Sequence, residues 1–393
     1  MYIYEREDWP RFNWNWEKIT GLLAAVRHRQ GHLVGRMETL GFSVRAEAIL
    51  NTLTLDVLKS SEIEGEILDR EQVRSSIARR LGMDIGASAT ASRNVEGVVE
   101  MMFDATQNYD QPLTRERLFC WHASLFTAGY SGMRKIKVGA WRDDAKGPMQ
   151  VVSGQIGREQ VHFEAPAAGL LEKEMKAFLD WYNDDDGTDL ILRAGIAHLW
   201  FVTVHPFEDG NGRIARAIAD MTLARSEQSV QRFYSLSAQI RQERKAYYEM
   251  LKSAQQETLD ITGHLAWFLD CLNNAFDSLE KTLKDVLRKA GFWQSCANLS
   301  FNDRQRLILN KLLDGLEGKL TSSKWAKLAK CSQDTALRDI QDLIERGVLR
   351  KDPSGGRSTS YSLSRKPNIE YPATKIGGPL ADIEYRKSGI GDQ

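Results

Sequence analysis

The chain has 393 residues, enough for roughly two to four domains and a large core. It is 42% hydrophobic and 27% charged, the balance of an ordinary globular protein. Lys plus Arg equals Asp plus Glu at 53 each, so no global field favours nucleic acid or an anionic membrane, and any anion site must be local.

The first residues, Met1 to Asp8, are charged and show no apolar signal region. No run of about eighteen apolar residues occurs, so no membrane span is expected. Cys120, Cys271, Cys296 and Cys331 stand far apart without a Cys-x-x-Cys pair, which argues against a zinc site or a disulfide framework. A reducing cytoplasm is the expected location.

From Trp16 to about Leu81 apolar residues recur three and four apart, as at Ile49, Leu53 and Val57, and helices are predicted. Asp84 to Ser92 is mostly small residues and reads as a flexible connection. Helical patterning resumes near Asn94 and continues to about Thr127. Between Ala128 and Pro166 six glycines (Gly129, Gly132, Gly139, Gly147, Gly154 and Gly157) argue against a long helix. Met149 to Ser153 is β-like, and Gly154-Gln155-Ile156-Gly157 follows as a turn, so a small hairpin is predicted.

Helices return at Ala167 and dominate to about Lys289. The one ending near Val204 is apolar nearly all round and should be buried; the next opens near Asn211. Further on, helices are predicted over about Asp303–Leu316, Ser322–Ala329 and Gln333–Arg346. Val348 to Lys351 and Thr359 to Leu363 then flank Pro353-Ser354-Gly355-Gly356. Three helices and a glycine-tipped hairpin describe a winged helix-turn-helix. The polar tail after Lys366 shows no pattern and is expected to be mobile.

The chemistry concentrates in His205-Pro206-Phe207-Glu208-Asp209-Gly210-Asn211-Gly212-Arg213 and Arg216. Pro206 stops the preceding helix. Gly210 and Gly212 permit a tight backbone path whose amides converge on an anion, and the next helix adds the partial positive charge of its N-terminus. Arg213 and Arg216, three apart, share a helical face and can grip a polyphosphate. Asp209 is a candidate Mg²⁺ ligand, and His205 is the nearby group able to take a proton near pH 7. Without this combination a His-Pro pair would be an ordinary helix–loop–helix joint with a buried histidine.

This stretch resembles the signature of the Fic family, His-Pro-Phe-x-Asp-Gly-Asn-Gly-Arg-x-x-Arg, at every specified position. The resemblance spans about residues 95 to 285, and the whole arrangement is similar to bacterial Fic proteins with a C-terminal winged helix. It implies a mainly α fold: an N-terminal helical region over 1–93, a catalytic core with a β-hairpin flap over 94–289, a winged helix over 295–365 and a tail over 366–393. The implied reaction is AMPylation, in which ATP gives AMP to a Ser, Thr or Tyr hydroxyl of a protein and releases pyrophosphate. His205 would be the general base and Asp209 the Mg²⁺ ligand. Asn211 with the amides around Gly210 and Gly212 would hold the α-phosphate, Arg213 the β-phosphate and Arg216 the γ-phosphate.

Val151, Val152, Ser153 and Gly154 resemble the Fic flap, whose edge can pair with an extended target segment. Tyr247-Tyr248 and Gln255 resemble the nucleoside pocket, although family members often carry Asn where Gln255 stands, and adjacent tyrosines on a helix also occur as one core and one surface residue. Ser60-Ser61-Glu62-Ile63-Glu64-Gly65 reads on its own as a capped helix end, with Ser60 and Glu64 on one face and Gly65 as terminator. It resembles the Fic inhibitory motif, in which Glu64 would pair with Arg216 and exclude the γ-phosphate.

Two other readings remain: AMP removal, with Glu64 positioning a water, and a DNA-binding regulator whose core senses nucleotide. For the winged helix, Gln333, Thr335, Arg338, Arg350, Lys351 and Arg357 suit DNA, while Asp334, Asp339, Asp342 and Glu345 weaken a basic face, so a protein contact stands equally. Expected partners are ATP and a protein substrate, with the chain itself as one candidate; a homodimer is left open.

Overall fold

In a computed structural model, residues 1–38, 42–84, 89–145, 147–153, 160–256, 258–313, 315–316, 318–353 and 359–364 are described. The periodic stretch after Trp16 becomes α1 (Trp16–Glu38), α2 (Phe42–Ile63) and α3 (Arg70–Arg80). Ile49, Leu53 and Val57 are buried along α2, as their spacing requires. Gly65, at φ +87°, lies just beyond the end of α2, and Asp69 caps α3 by accepting from the Gln72 amide. Ser92 caps α4 (Arg93–Gln107) and Thr114 caps α5 (Arg115–Leu125), each accepting an amide of the first turn. Residues 85–88 of the expected flexible connection lie outside the described residues.

The glycine-rich stretch holds two hairpins where one was expected. β1 (Tyr130–Ser131) pairs with β2 (Arg134–Lys135), too short to leave an alternating pattern in the sequence. β3 (Gln150–Ser153) pairs antiparallel with β4 (Gln160–Glu164), with an irregularity between Val151 and Val152. The expected turn from Gly154 to Gly157 lies outside the described residues.

The helices that follow are α6 (Leu171–Asn183), α7 (Leu190–Val204), α8 (Asn211–Glu227), α9 (Leu236–Gln242), α10 (Arg244–Gln256) and α11 (Thr262–Ser295). Every α7 residue from Ile191 to Val204 is buried, as its unbroken apolarity demanded. α8 packs along α7, and α2, α4 and α5 pack against α8, so the loop joining α7 to α8 is enclosed by the core. The unassigned N-terminal segment also packs: Tyr2 meets the Phe163 ring edge-on at 5.0 Å, and Trp9 donates to Glu174 at 2.8 Å.

The chain divides into two units, Met1–Lys284 and Asp285–Gln393, and passes from one to the other within α11. The second unit contains α12 (Asp303–Leu313), α13 (Ser322–Leu328), α14 (Gln333–Glu345) and the antiparallel pair β5 (Leu349–Lys351) and β6 (Tyr361–Leu363). Its core gathers Phe292, Ile308, Leu309, Trp325, Ile340 and Leu343. The hairpin tip from Ser354 to Arg357 and the tail beyond Ser364 lie outside the described residues. Among the described residues no helix is long and apolar enough to cross a membrane.

Candidate functional site

The α7–α8 loop is built by a reversal of the backbone followed by side-chain braces. α7 ends at His205, whose φ of 51° and ψ of 58° are left-handed, a conformation that costs an L-residue about 1–2 kcal/mol. Arg142 holds it there: Nε donates to the His205 carbonyl at 2.8 Å, and the Arg142 amide donates to the Pro206 carbonyl at 2.9 Å. The His205 ring is fixed by Nδ1, which lies 3.2 Å from the Val202 carbonyl. A carbonyl can only accept, so Nδ1 carries the proton and Nε2 keeps its lone pair. Burial pushes the His205 pKa down to about 4, with Arg142 acting in the same direction against Glu64 and Asp209. The ring is therefore neutral at pH 7, a base rather than an acid.

Beyond His205, Phe207 is fully buried and stacks on His122 with ring centroids 4.2 Å apart. Asn211 closes the loop on itself: its Oδ1 accepts from the Phe207 amide at 3.0 Å and its Nδ2 donates to the Phe207 carbonyl at 2.8 Å. The Asn211 side chain, expected at a phosphate, also braces the loop. Gly210, at φ +79°, is the N-cap of α8 and turns the chain into it. Asp209 accepts from the Gly210 amide and from the Ser131 hydroxyl of β1. Lys137 and Arg134 hold Glu208 through a backbone amide at 3.2 Å and a guanidinium at 3.3 Å. The unexpected first hairpin therefore anchors the outer side of the loop.

Both arginines of the loop are engaged by the segment that ends α2. Arg216 is fully buried; its Nε donates to Ser60 Oγ at 2.9 Å, and Nη2 donates to the Ser60 carbonyl and to Glu64 Oε1, each at 2.8 Å. Burial opposes the Arg216 charge, and the Glu64 carboxylate, with Tyr247 and Tyr248, more than offsets it. A Cβ on Gly212 would lie 2.1 Å from Glu64 Oε1, so the carboxylate rests against the first turn of α8, at its positive end. Arg213 donates to Glu66 Oε2 at 2.8 Å and lies over the Phe126 ring at 5.1 Å. Glu66 escaped the sequence reading, because a carboxylate just past a helix end carries no periodic signature. Arg216 Nη1 and Arg213 Nε are buried without a hydrogen-bond partner among the described residues.

A cleft of about 840 Å³ opens over His205, Glu64 and Gly212, within the usual range for a small-molecule site. One wall is the second hairpin, with Val151, Val152, His162 and Phe163; the other is α10, with Tyr247, Tyr248 and Gln255. His162 is thus a second titratable ring at this cleft, so His205 is not the one such group there. Of the expected flap residues, Ser153 is placed in β3 by its backbone, and Gly154 lies outside the described residues. Tyr247 is buried and its hydroxyl lies 3.1 Å from His198 Nε2, whereas Tyr248 is partly exposed and donates to the Ile63 carbonyl at 3.4 Å. The adjacent tyrosines thus divide into one core and one surface residue, both facing the cleft. Gln255 donates to the Val202 carbonyl at 3.4 Å and to Thr203 Oγ1 at 3.3 Å. Among the described residues no group of three His, Cys, Asp or Glu is placed to hold a metal.

Fold and site together define a helical protein with a glycine-bearing loop between two core helices, whose arginines are covered by carboxylates of its own chain. Residues 112–223 match the Fic/DOC family, and residues 2–83 match a domain of unknown function (DUF4172). The chain is 31% identical over 132 residues to the protein adenylyltransferase Fic of Drosophila willistoni, covering 32% of this chain and 25% of that protein. It is 40% identical over 81 residues to the protein adenylyltransferase fic-1 of Caenorhabditis elegans, covering 19% of this chain and 16% of that one. The chain thus spans a quarter or less of the length of these relatives. A Fic family protein from Desulfovibrio desulfuricans G20, known from its crystal structure, shares the fold with a TM-score of 0.51 at 20% identity, over 89% of this chain and 96% of that one. Over residues 112–223 the chain is thus similar to the Fic/DOC family, and its fold is that of a solved Fic family protein.

Proposed function

We propose that this chain is a protein adenylyltransferase, which moves AMP from ATP to a Ser, Thr or Tyr hydroxyl of a protein and is held inactive by Glu64. One observation carries the reading: the Glu64 carboxylate lies against Gly212 at the positive end of α8 and is bonded to Arg216, where an anionic oxygen would sit. Arg216 Nη1 and Arg213 Nε, without a hydrogen-bond partner among the described residues, fit a polyphosphate, which brings many acceptor oxygens.

In this reading His205 Nε2 takes the proton of the target hydroxyl. The hydroxyl oxygen attacks the α-phosphorus, the bond to the β-phosphate bridge breaks, and pyrophosphate leaves with both electrons of that bond. Amides around Gly210 and Gly212 receive the α-phosphate, Arg213 the β-phosphate and Arg216 the γ-phosphate; Asn211 keeps the loop in shape. Asp209 is the Mg²⁺ ligand, since a lone carboxylate completed by substrate phosphates suits that ion. Mg²⁺ would supply charge neutralisation on the phosphates. Val151, Val152, Ser153 and Gly154 form the flap edge for the target, and Tyr248 and Gln255 line the nucleoside side. Ser60, Glu64 and Gly65 form the inhibitory end of α2, and Glu66 joins them by holding Arg213.

AMP removal is the second reading, favoured by one observation: Glu64 and His205 line the same cleft. There a carboxylate and a neutral imidazole could orient a water. We extend the proposal to the division at 1–93, 94–289, 295–365 and 366–393, to a cytoplasmic location, and to a winged helix formed by α12 to α14 with β5 and β6. The solvent face of α14 carries Asp334, Leu337, Arg338 and Glu345, which favours a protein contact over duplex DNA. Salt-sensitive binding of a labelled random duplex would overturn that preference.

The deciding experiment supplies labelled ATP and native lysate to the wild-type chain and to Glu64→Gly. Strong labelling by the variant alone supports inhibited transfer. Labelling by neither defeats the transfer reading. Release of AMP from a pre-modified protein by the wild type but not by Glu64→Gly supports removal instead.

A further inference from the structure

Arg142 belongs to no motif of the sequence, yet it is among the most enclosed charges of the first unit. Its side chain has no solvent exposure. Each part of it is used. Nε donates to the His205 carbonyl at 2.8 Å, Nη1 meets Asp144 Oδ1 at 2.9 Å, and Nη2 donates to the Pro166 carbonyl. Its own amide donates to the Pro206 carbonyl at 2.9 Å. Asp144 in turn accepts from the Ala168 amide through its second oxygen. Pro166 follows the root of β4, where the Ala165 amide donates to the Met149 carbonyl at 2.9 Å. One guanidinium therefore joins the left-handed turn at His205 to the base of the second hairpin, sites 63 and 24 residues away in the chain.

A buried guanidinium is costly unless its donors are used, and Lys has only one head where Arg has a planar fork. Burial for packing alone would not require the fork to point at the carbonyl of the proposed base. The left-handed backbone of His205 needs such a clamp, because an L-residue relaxes from that conformation when free. The clamp bears only on the backbone; the ring is steered separately by the Val202 carbonyl. Together the two contacts leave Nε2 as the one ring atom available for proton transfer.

We infer that Arg142 is the positioning residue for His205, fixing the imidazole relative to the loop amides and to the hairpin that presents the target. This rests on the transfer reading of the site and adds to it a residue outside the loop. Arg142 also places a positive charge beside a ring whose other charged neighbours are Glu64, just past α2, and Asp209 of the loop. It should thus help keep that ring unprotonated.

The test uses the full chain in a Glu64→Gly background, with AMP transfer followed as a function of ATP concentration and pH. Adding Arg142→Gln should lower kcat by about 10- to 100-fold while KM for ATP stays within about twofold, because the phosphate contacts lie elsewhere. The acid limb of the kcat–pH profile should move upward, since a positive neighbour has gone. Arg142→Lys keeps the charge and loses the fork, so its limb should stay in place while kcat still falls; it also serves if Arg142→Gln does not fold. A folded Arg142→Gln, or in its stead Arg142→Lys, with kcat unchanged overturns the inference. If Glu64→Gly itself transfers no AMP, the function proposed above fails instead. Arg142 is then read by NMR of ¹³C-histidine-labelled protein, with the His205 signal assigned by His205→Ala. An Arg142→Gln midpoint for His205 above that of the parent supports the inference, and an unchanged midpoint overturns it.

Discussion

At the scale of single residues, the proposed site separates a base from an anion grip. His205 is held neutral by burial, with Nδ1 tied to Val202, while Arg213 and Arg216 stand a turn further along α8. His205→Ala in the Glu64→Gly background should therefore abolish AMP transfer and leave ATP binding by calorimetry within about twofold. Transfer at the parent rate would remove His205 from the chemistry. Asp209→Ala should lose most activity and make triphosphate binding insensitive to Mg²⁺; full parent activity in excess EDTA would sink the metal assignment. Glu66 competes for Arg213 from a partly exposed position, its side chain 30% accessible. Such pairs are worth little in water, so Glu66→Ala should tighten triphosphate binding only about two- to fivefold. No change at all would mean that Glu66 is merely a helix-end neighbour.

At the scale of elements, α2 and α8 meet as a latch. Ser60 offers its hydroxyl and carbonyl, and Glu64 its carboxylate, to one guanidinium of α8. Arg216 cannot give the same donors to a carboxylate and to a γ-phosphate. A charge-assisted contact of roughly 1.5–3 kcal/mol corresponds to about ten- to a hundredfold in an equilibrium, so Glu64→Gly should raise AMP transfer by about that factor. Adding Arg216→Ala should remove most of the gain, which a gel assay of labelled AMP would show. A Glu64→Gly protein with wild-type rates in both transfer and removal reduces Ser60 to Gly65 to an ordinary helix end.

At the scale of the whole molecule, several histidines are buried without charge. Burial pushes His122, His205 and His264 down to about 4, and drives His198 well below its ordinary value. Each binds a proton more readily when unfolded than when folded, so each withdraws stability as pH falls below about 6.5 towards 4. The raised carboxyls of Asp56, Asp220 and Glu227, also lifted by burial, act in the opposite sense, because the folded state holds their protons longer. Single histidines can still be read against this background. His264 packs under α7 with Nε2 3.0 Å from the Gly195 carbonyl. From pH 7 to 5 it should cost about 2 kcal/mol of stability in the wild type, and His264→Asn should show a correspondingly flatter change in urea midpoint. Equal slopes in the two proteins would mean that His264 takes up its proton alike in the folded and unfolded states.

Helix identity followed from the sequence because it depends on local spacing: the apolar face of α2 and the unbroken apolarity of α7. The caps Ser92 and Thr114, and the break between α4 and α5, came from the structure. That the loop residues act as one cluster was equally legible, since glycines, carboxylate, histidine and arginines lie within twelve consecutive positions, His205 to Arg216. The two-residue strands of the first hairpin were not, because no periodicity fits in so short a piece. Nor were the partners of the loop. Glu64 and Arg216 are 152 residues apart, Glu66 and Arg213 are 147, and Arg142 and His205 are 63. Glu64 was reached through family likeness, and Glu66 and Arg142 through nothing in the sequence. That Asn211, read at a phosphate, braces Phe207 was not legible either, because the contact is made by the folded path of five residues. Tertiary structure also decided the protonation of His205, because a pKa depends on which atoms exclude water from a ring and which charges face it. Local order is set by neighbours in the chain, whereas burial and long-range pairing exist only once distant helices have packed.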